Sequence, residues 1–152
     1  MMREKTKYIH YGCATFEKEL FVDIANIPLN NKPLGGLWAS AVNAAYRWED
    51  WCASTNYSEC NAENSFTFTL ADNAKVLYIN SADDLKGLPV AQNDIDDFEI
   101  FSWTLLDFKK LADIYDAIEV NISNDRELYY TLYGWDCDSI LIMNPDIIQV
   151  IK

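Results

Sequence analysis

The chain has one histidine and no CxxC motif, and each of these absences excludes certain kinds of metal or redox site. A single imidazole, His10, excludes sites that need two, such as the zinc-binding HExxH helix. The four cysteines form no CxxC motif and are too sparse for the disulfide framework of a small secreted domain, which favours reduced thiols in a cytosol. His10 with Cys13, Cys52 or Cys60 is only a weak zinc motif, so we predict no metal site.

Familiar nucleotide-binding and hydrolase motifs are also missing. The sequence has neither a P-loop lysine signature nor a GxGxxG turn. A Ser-His-Asp triad is formally possible, but there is no GxSxG elbow to place its serine. The N-terminus lacks the apolar segment of a signal peptide, and no apolar run approaches the roughly 18 residues that span a bilayer. We therefore expect a cytoplasmic protein with no membrane partner.

Basic residues are scarce. The chain carries 12 Lys and Arg against 24 Asp and Glu, a formal net charge of −12. Residues 72–152 hold 16 of the acidic and 6 of the basic side chains, whereas the first 71 residues hold 8 and 6. This charge repels phosphate backbones, so direct nucleic-acid binding is not expected. An anionic small ligand is expected to lie against the first half.

Apolar residues are plentiful, at 50% with 14% aromatic, and 152 residues suit one domain over 1–152. The fold class that the patterns predict is α+β, rich in strands. A loop is expected at 30–36, and an exposed acidic loop at 93–99. Helices are predicted from the apolar spacing at 16–24, after Ser40 as N-cap to Cys52, at 81–84 and at 107–114. Strands are predicted at 8–11, 37–40, 117–122, 139–143 and 147–151, and at 66–70 and 75–79 as one hairpin.

Four groups of residues could support chemistry. His10 ends the first strand, where it either contacts a ligand or is a partly buried structural residue. Gly35 and Gly36 precede a strand and either let the backbone approach a ligand or form a plain turn. Aromatic side chains cluster nearby and either fill the core or form a stacking wall. Two acids precede an apolar strand and either point into a cleft or are solvated. The aromatic residues are Trp38, Tyr46, Trp48 and Trp51, and the acids are Asp136 and Asp138.

The order of these elements resembles the ADP-ribosyltransferase fold. The matching features are His10-Tyr11-Gly12, the Gly-rich approach to Trp38 and Ser40, the phrase Tyr115-Asp116-Ala117-Ile118-Glu119-Val120, and the end from Asp138 through Asn144-Pro145-Asp146 to Ile148. The resemblance implies a split mixed β-sheet with short flanking helices and NAD as cofactor.

That resemblance also implies site residues. His10, with Gly12 beside it, would hold an NAD ribose. Ser40 would support the nicotinamide end, with Trp38 or Tyr46 stacking on the ring. Asp138, or failing that Asp136, stands where the family has a catalytic glutamate, so the carboxylate is shorter by one C–C bond, about 1.5 Å.

Two functions follow as hypotheses. The first is an NAD-dependent mono-ADP-ribosyltransferase, a bacterial or phage toxin or effector that modifies a macromolecule, most simply a protein. Cleavage of the ribose–nicotinamide bond leaves an oxocarbenium-like sugar, which a carboxylate stabilises, while the cationic leaving group needs no strong acid. This hypothesis expects His10 and Asp138 to face one groove. The alternative is a non-catalytic acidic binding protein, an inhibitor or DNA mimic that engages a basic protein surface.

Overall fold

The structure of the protein is a computed structural model, and it describes residues 5–12, 14–27, 30–55, 62–90, 105–132, 135 and 137–151. Regular elements in these residues follow the order β1 (Tyr8–Tyr11), β2 (Ala25–Ile27), β3 (Asn30–Leu34), β4 (Leu37–Ala41), α1 (Trp48–Thr55), β5 (Ser65–Leu70), β6 (Val76–Ile79), α2 (Phe108–Ile114), β7 (Ala117–Val120), α3 (Arg126–Thr131), β8 (Ser139–Ile142) and β9 (Ile148–Val150). The mixed α+β class predicted from the sequence is confirmed.

A seven-stranded sheet organises the fold, in the order β6-β7-β8-β4-β1-β5-β9, while β2 and β3 form a separate pair. The β6–β7 pair is parallel and the other pairs are antiparallel. Both β6 and β7 therefore end at the same edge of the sheet, and β8 begins there because it runs antiparallel to β7.

The two faces of the sheet differ in the size of their side chains. One face, which we call the helical face, is covered by α2 and α3 and packs large groups such as Phe108, Leu128 and Leu141. The other, the inner face, packs phenyl rings on β5 and two isoleucines on β8, with the smaller Ala39, Ala41 and Ala117 on β4 and β7.

The inner face is strongly curled. In a flat sheet β1 and β7 would lie three strand spacings apart, about 14 Å. Nevertheless the Tyr8 hydroxyl on β1 donates a hydrogen bond of 2.7 Å to Glu119 Oε2 on β7. Ala41 on β4 lines the cleft beside this contact, whereas the other intervening strand, β8, carries the larger Ile140 and Ile142 on the same face.

Four local predictions are wrong, and the first concerns the hairpin. Strands β5 and β6 are not neighbours, because the backbone of β6 pairs with β7 instead. The Lys75 amide donates to the Asp116 carboxylate, and the Asp116 amide donates to the Lys75 carbonyl, which fixes this parallel pairing from its first residue.

The segment predicted as a loop at 30–36 contains strand β3, paired with β2. Its two glycines approach the chain itself rather than an open space. Both have positive φ, and a Cβ on Gly36 would lie 2.6 Å from Leu141 Cδ1, while one on Gly35 would lie 2.2 Å from the Asp23 carbonyl oxygen. The glycines are therefore explained by the turn and its packing.

Two helix predictions also need correction. The spacing of Phe16, Leu20 and Ile24 does not form a helix, and only a short 3-10 turn at Lys18–Leu20 is present. Helix α1 begins at Trp48, because Ser40 belongs to β4. Ser40 Oγ still accepts a hydrogen bond of 3.0 Å from the Trp48 amide, so it stabilises the start of that helix from a distant strand.

Other predictions are confirmed. Strand β1 has the predicted bounds, and β8 and β9 lie where the apolar patterns place them but are shorter. Helix α2 follows Asp107, whose side chain accepts from the Lys110 amide as an N-cap. The short helix predicted at 81–84 is a 3-10 helix at Ala82–Leu85, while the predicted acidic loop at 93–99 lies outside the described residues.

Candidate functional site: a cleft with two carboxyl groups

A cleft of about 430 Å³ opens at the sheet edge where β6 and β7 end and β8 begins. The parallel pairing brings the residues that follow the two strands, Asn80 and Asn121, side by side, and the Asn121 side-chain amide donates to the Asn80 side-chain oxygen. Asn43 and Asn124 also line the cleft. Four carboxamides in one cleft offer both donors and acceptors.

Asp138 is the most firmly held carboxylate in this cleft, and only 3% of its surface is exposed. Oδ1 accepts hydrogen bonds from the Ser123 amide at 2.9 Å and the Ser123 hydroxyl at 3.0 Å. Oδ2 accepts from the Tyr46 amide at 3.0 Å and lies 2.7 Å from the same hydroxyl. A carboxylate fixed by backbone donors keeps its position without reorganising when a ligand arrives.

Glu119 is the second carboxyl group, half-buried on the inner face of β7. Burial raises the pKa of Glu119, the hydrogen bond from Tyr8 opposes that rise, and the nearby charge of Asp138 adds to it. Burial, with Glu119 close by, also raises the pKa of Tyr8 far above its usual value. Two carboxyl groups therefore share one cleft, and burial raises the pKa of one of them, Glu119.

No lysine or arginine occurs among the described residues that line the cleft. Its polar groups are hydroxyls, carboxamides and carboxyls, and Tyr78 contributes an exposed ring beside Glu119. Such a lining suits a polyhydroxylated or positively charged group and disfavours a phosphate. A sugar ring is the ligand class that these groups match best.

Of the residues predicted from the sequence, Asp138 lines the cleft, and two others, Ser40 and Tyr46, are hydrogen-bonded to it. Ser40 Oγ donates to the Asp138 carbonyl at 2.9 Å and is fully buried. Tyr46 binds Asp138 twice through its backbone, since its amide donates to the carboxylate and its carbonyl accepts from the Asp138 amide at 2.7 Å. Ser40 and Tyr46 thus position Asp138.

His10 and Gly12 lie toward the other end of β1. His10 shares the inner face with Tyr8, about 7 Å further along the strand, and does not line the described cleft. Its ring packs on Phe66, and Nδ1 lies 2.6 Å from the Trp38 carbonyl oxygen. Because a carbonyl only accepts, Nδ1 carries the proton. Gly12 is beside the ring, with the position of an added Cβ 3.6 Å from Nε2.

The three tryptophans among the predicted aromatic residues belong to a different part of the molecule. The Trp38 ring is on the helical face, edge-on to Trp135 at 4.6 Å between centroids. Trp48 packs edge-on against Trp51 at 5.6 Å, and the Lys32 ammonium lies over both Trp38 and Trp48. This cluster does not line the described cleft.

Some predictions fall on residues outside the described ranges, namely Asp136, Cys13 and Cys60. Among the residues that are described, no group of three or more His, Cys, Asp and Glu side chains is arranged to hold a metal ion. Within the same residues, no helix has the length and apolar character needed to cross a bilayer.

Sequence reasoning missed Glu119, Tyr8 and the asparagines. One signal was present, since Glu119 interrupts the otherwise apolar strand Ala117-Ile118-Glu119-Val120. A buried acid in an apolar strand is unusual enough to mark a site. Its partner on β1, however, depends on the curl of the sheet, which no local pattern predicts.

Comparison with known proteins gave no match to a protein-family model, to a curated protein or to a solved structure.

Proposed function

We propose that this chain is a mono-ADP-ribosyltransferase that uses NAD and breaks the ribose–nicotinamide bond in the cleft around Asp138. The observation that supports this most is the placement of two carboxyl groups, Asp138 and Glu119, in a cleft lined by four carboxamides. The curled mixed sheet with short helices also supports it, because the resemblance noted in the sequence implies a fold of that general kind.

The chemistry assigns each group one task. When the C1′–N bond breaks, both electrons leave with nicotinamide, which departs neutral, and the ribose becomes an oxocarbenium ion. Asp138 stabilises that positive charge from a fixed position. The asparagine side chains bind the ribose hydroxyls. A lone pair of the acceptor then forms the new bond to C1′, and Glu119 in its ionised form takes the proton that the acceptor loses.

The role predicted for His10, holding an NAD ribose, stays a prediction. His10 does not line the described cleft, whose residues carry the roles assigned above. We propose that the acceptor is a protein and that this chain is the bacterial or phage effector that modifies it. Incorporation of labelled ADP-ribose from NAD into a protein acceptor would establish transfer as distinct from hydrolysis.

Release of nicotinamide from NAD tests the proposal directly. We expect Asp138→Asn to lower the rate about 100-fold or more, which is typical of losing a charge-stabilising group. Glu119→Gln should lower it less. Asp113→Asn is the matched control, because Asp113 is an exposed acid on α2 that does not line the cleft. Thermal unfolding of each variant separates loss of chemistry from loss of fold, and wild-type protein that releases no nicotinamide and binds no NAD would contradict the proposal.

A second candidate, an acidic binding protein, is favoured by the unpaired charge of residues 72–152. In the described part of that half, ion pairs involve only Asp72, Asp83 and Asp146. Exposed acids such as Asp113 and Glu127 therefore face solvent and could meet a basic protein surface. Tight, salt-sensitive association with a DNA-binding protein, unchanged by His10→Ala, would favour this function.

A further inference from the structure

The two edges of the seven-stranded sheet have different surroundings. Strand β6 forms one edge and β9 forms the other. The cleft and a second cavity of about 240 Å³ both border β6, and Thr6, Tyr8 and Tyr78 line both of them. The residues of β9, Ile148–Val150, line neither cavity. A ligand bound along β6 would therefore reach two cavities, whatever reaction takes place in the cleft.

The backbone of β6 has polar groups that its pairing with β7 does not use. In a β-ladder, alternate residues direct their amides and carbonyls to the same neighbouring strand. The carbonyls of Lys75 and Ile79 accept hydrogen bonds from β7, so Lys75, Leu77 and Ile79 face that strand. Val76 and Tyr78 therefore direct their backbone groups to the open edge, where no described strand pairs with them.

Strand β6 also lacks the features that usually protect an open edge. Natural edge strands carry charged residues, prolines or bulges that discourage a second strand from pairing. The strand Val76–Ile79 has none of these, and its register with β7 is regular. The open stretch ends at Asn80, whose amide donates to the Asp84 carboxylate at 2.9 Å. An extended chain can thus pair with β6 before that point.

The second cavity offers a place for one side chain of such an extended chain. Its apolar side chains come from β5, from β6 and from the turn between them, and they are Leu70, Ala71, Ala74 and Val76. A cavity of this volume holds a leucine or phenylalanine side chain. When a peptide adds to a sheet edge, main-chain hydrogen bonds supply affinity, and a pocket beside the edge selects the side chain that enters it.

Charge favours some polypeptides over others at this edge. The described residues that line the two cavities include three acids and one cation, namely Asp72, Glu119, Asp138 and Lys5. The one cation is already engaged, because Lys5 Nζ lies 2.7 Å from Asp72 Oδ1. The whole chain has a net charge of −12. A basic segment is therefore attracted to the edge, and an acidic segment is repelled.

We infer that the open edge of β6 binds an extended segment of a partner protein, which adds to the sheet as a further strand and inserts one bulky apolar side chain into the second cavity. The backbone of that segment pairs with Val76 and Tyr78, and basic residues flank the inserted side chain. The partner is then a protein with an accessible extended segment of apolar and basic residues.

Fluorescence anisotropy with labelled synthetic peptides tests this binding in the absence of any nucleotide. The probe is a short peptide of threonine and serine in which a central leucine is flanked by arginines. Replacing the leucine by alanine should weaken binding about tenfold, because burial of an aliphatic side chain is lost. Replacing the arginines by glutamates should weaken binding further, and the difference should shrink as salt is added.

Methylation of the peptide backbone distinguishes strand pairing from capture of the side chain alone. Alternate amides of an extended chain point to opposite sides. One set of alternate N-methyl groups therefore blocks pairing with β6, whereas the other set points away from it. We expect one methylated peptide to lose binding and its counterpart, methylated at the remaining positions, to keep it.

Proline substitutions at the two sheet edges form a matched pair in the protein. Val76→Pro removes an amide that points to the open edge, so it should abolish binding while the β6–β7 ladder stays in place. Val150→Pro makes the same change at β9, where the Ile151 amide donates to β5 and the Val150 amide points outward, and it should leave binding unchanged. Thermal unfolding shows whether each variant keeps its fold.

The inference is supported when binding depends on the leucine, on one methylation pattern only and on an intact β6 edge. Equal affinity of the two methylated peptides would mean that no strand is added, and equal affinity of the leucine and alanine peptides would mean that the cavity is not used. Either result overturns the inference, as does failure of the wild-type protein to bind the probe. If Val76→Pro does not fold, the peptides decide alone. Because NAD is absent throughout, none of these results bears on the function proposed for the cleft.

Discussion

The helical and inner faces of the same sheet differ in what covers them. The helical face buries large side chains from α2, α3 and four strands, with Leu128, Leu132 and Leu141 entirely inaccessible to solvent. The inner face packs the phenyl rings of β5 and the isoleucines of β8 beside the alanines of β4, and it borders a polar cleft with Asp138 and Glu119. The helical face is therefore covered by helices, whereas the inner face is open to a ligand at the cleft.

That difference shows where stability and function lie. Apolar contacts on both faces stabilise the fold, because burial of large apolar groups dominates stability. The inner face in addition borders the two carboxyl groups of the cleft, whose burial carries an energetic penalty. Substitutions on the helical face should therefore change stability, and those at the cleft should change ligand binding more than stability.

The largest expected effect comes from Leu141→Ala at the centre of β8. Leu141 is fully buried and pairs with Trp38 and Ile118 across the neighbouring strands. Removing its side chain should lower the free energy of unfolding by about 2–5 kcal/mol, through lost burial and the cavity left behind. Urea unfolding measures this effect. Leu20→Ala is the control, because Leu20 is 69% exposed. A similar decrease in that variant would show that burial of Leu141 is not the cause of the effect.

A smaller effect is expected from Ser123→Ala at the cleft. The Ser123 hydroxyl contacts both oxygens of Asp138, and its loss leaves only the two backbone donors. We expect a decrease of about 1 kcal/mol in the free energy of unfolding, together with weaker nucleotide binding. Thr15→Ala removes an exposed hydroxyl that does not line the cleft and should change neither quantity. Equal behaviour of the two variants would show that Ser123 does not hold Asp138.

The sequence predicted the individual elements better than their partners. The apolar runs at 139–143 and the helix after Asp107 depend on local patterns, and both are confirmed. The hairpin prediction failed because the alternation of residues 66–70 and 75–79 says that two strands exist, but not which strands they pair with. Pairing is decided by long-range contacts such as those between Lys75 and Asp116.

In the candidate site, too, local patterns identified some residues, while others depend on long-range contacts. Asp138 was identifiable because two acids before an apolar strand are unusual, and it does line a cleft. Glu119 gained its role only when the sheet curled and brought Tyr8 within hydrogen-bond distance. His10 was singled out as the lone imidazole, but its ring is engaged by Phe66 and the Trp38 carbonyl instead of the described cleft.

Glu119 in the cleft and His10 on β1 should each change how the free energy of unfolding depends on pH. The effect of Glu119 is expected to be the larger. Burial is the main cause that raises the pKa of Glu119 in the folded protein. As the pH rises above about 4.5, the unfolded chain loses this proton before the folded one does, so Glu119 lowers stability progressively. Glu119→Gln should gain stability relative to the wild type across that window. Urea unfolding at several pH values measures the difference in the free energy of unfolding between this variant and the wild type. A difference that does not change with pH would show that the pKa of Glu119 is not raised by folding.

His10 should give the smallest effect, with the opposite sign. Burial lowers the pKa of His10 in the fold, and the hydrogen bond to Trp38 only partly offsets this. Below about pH 6.5 the unfolded chain binds a proton that the folded chain resists, so stability is lost as the pH falls. His10→Gln removes the titrating group and should flatten that part of the curve, while Glu119→Gln should leave it in place. A wild-type curve with the same acid slope as His10→Gln would mean that the imidazole is protonated in the fold, which its buried contact with Phe66 opposes.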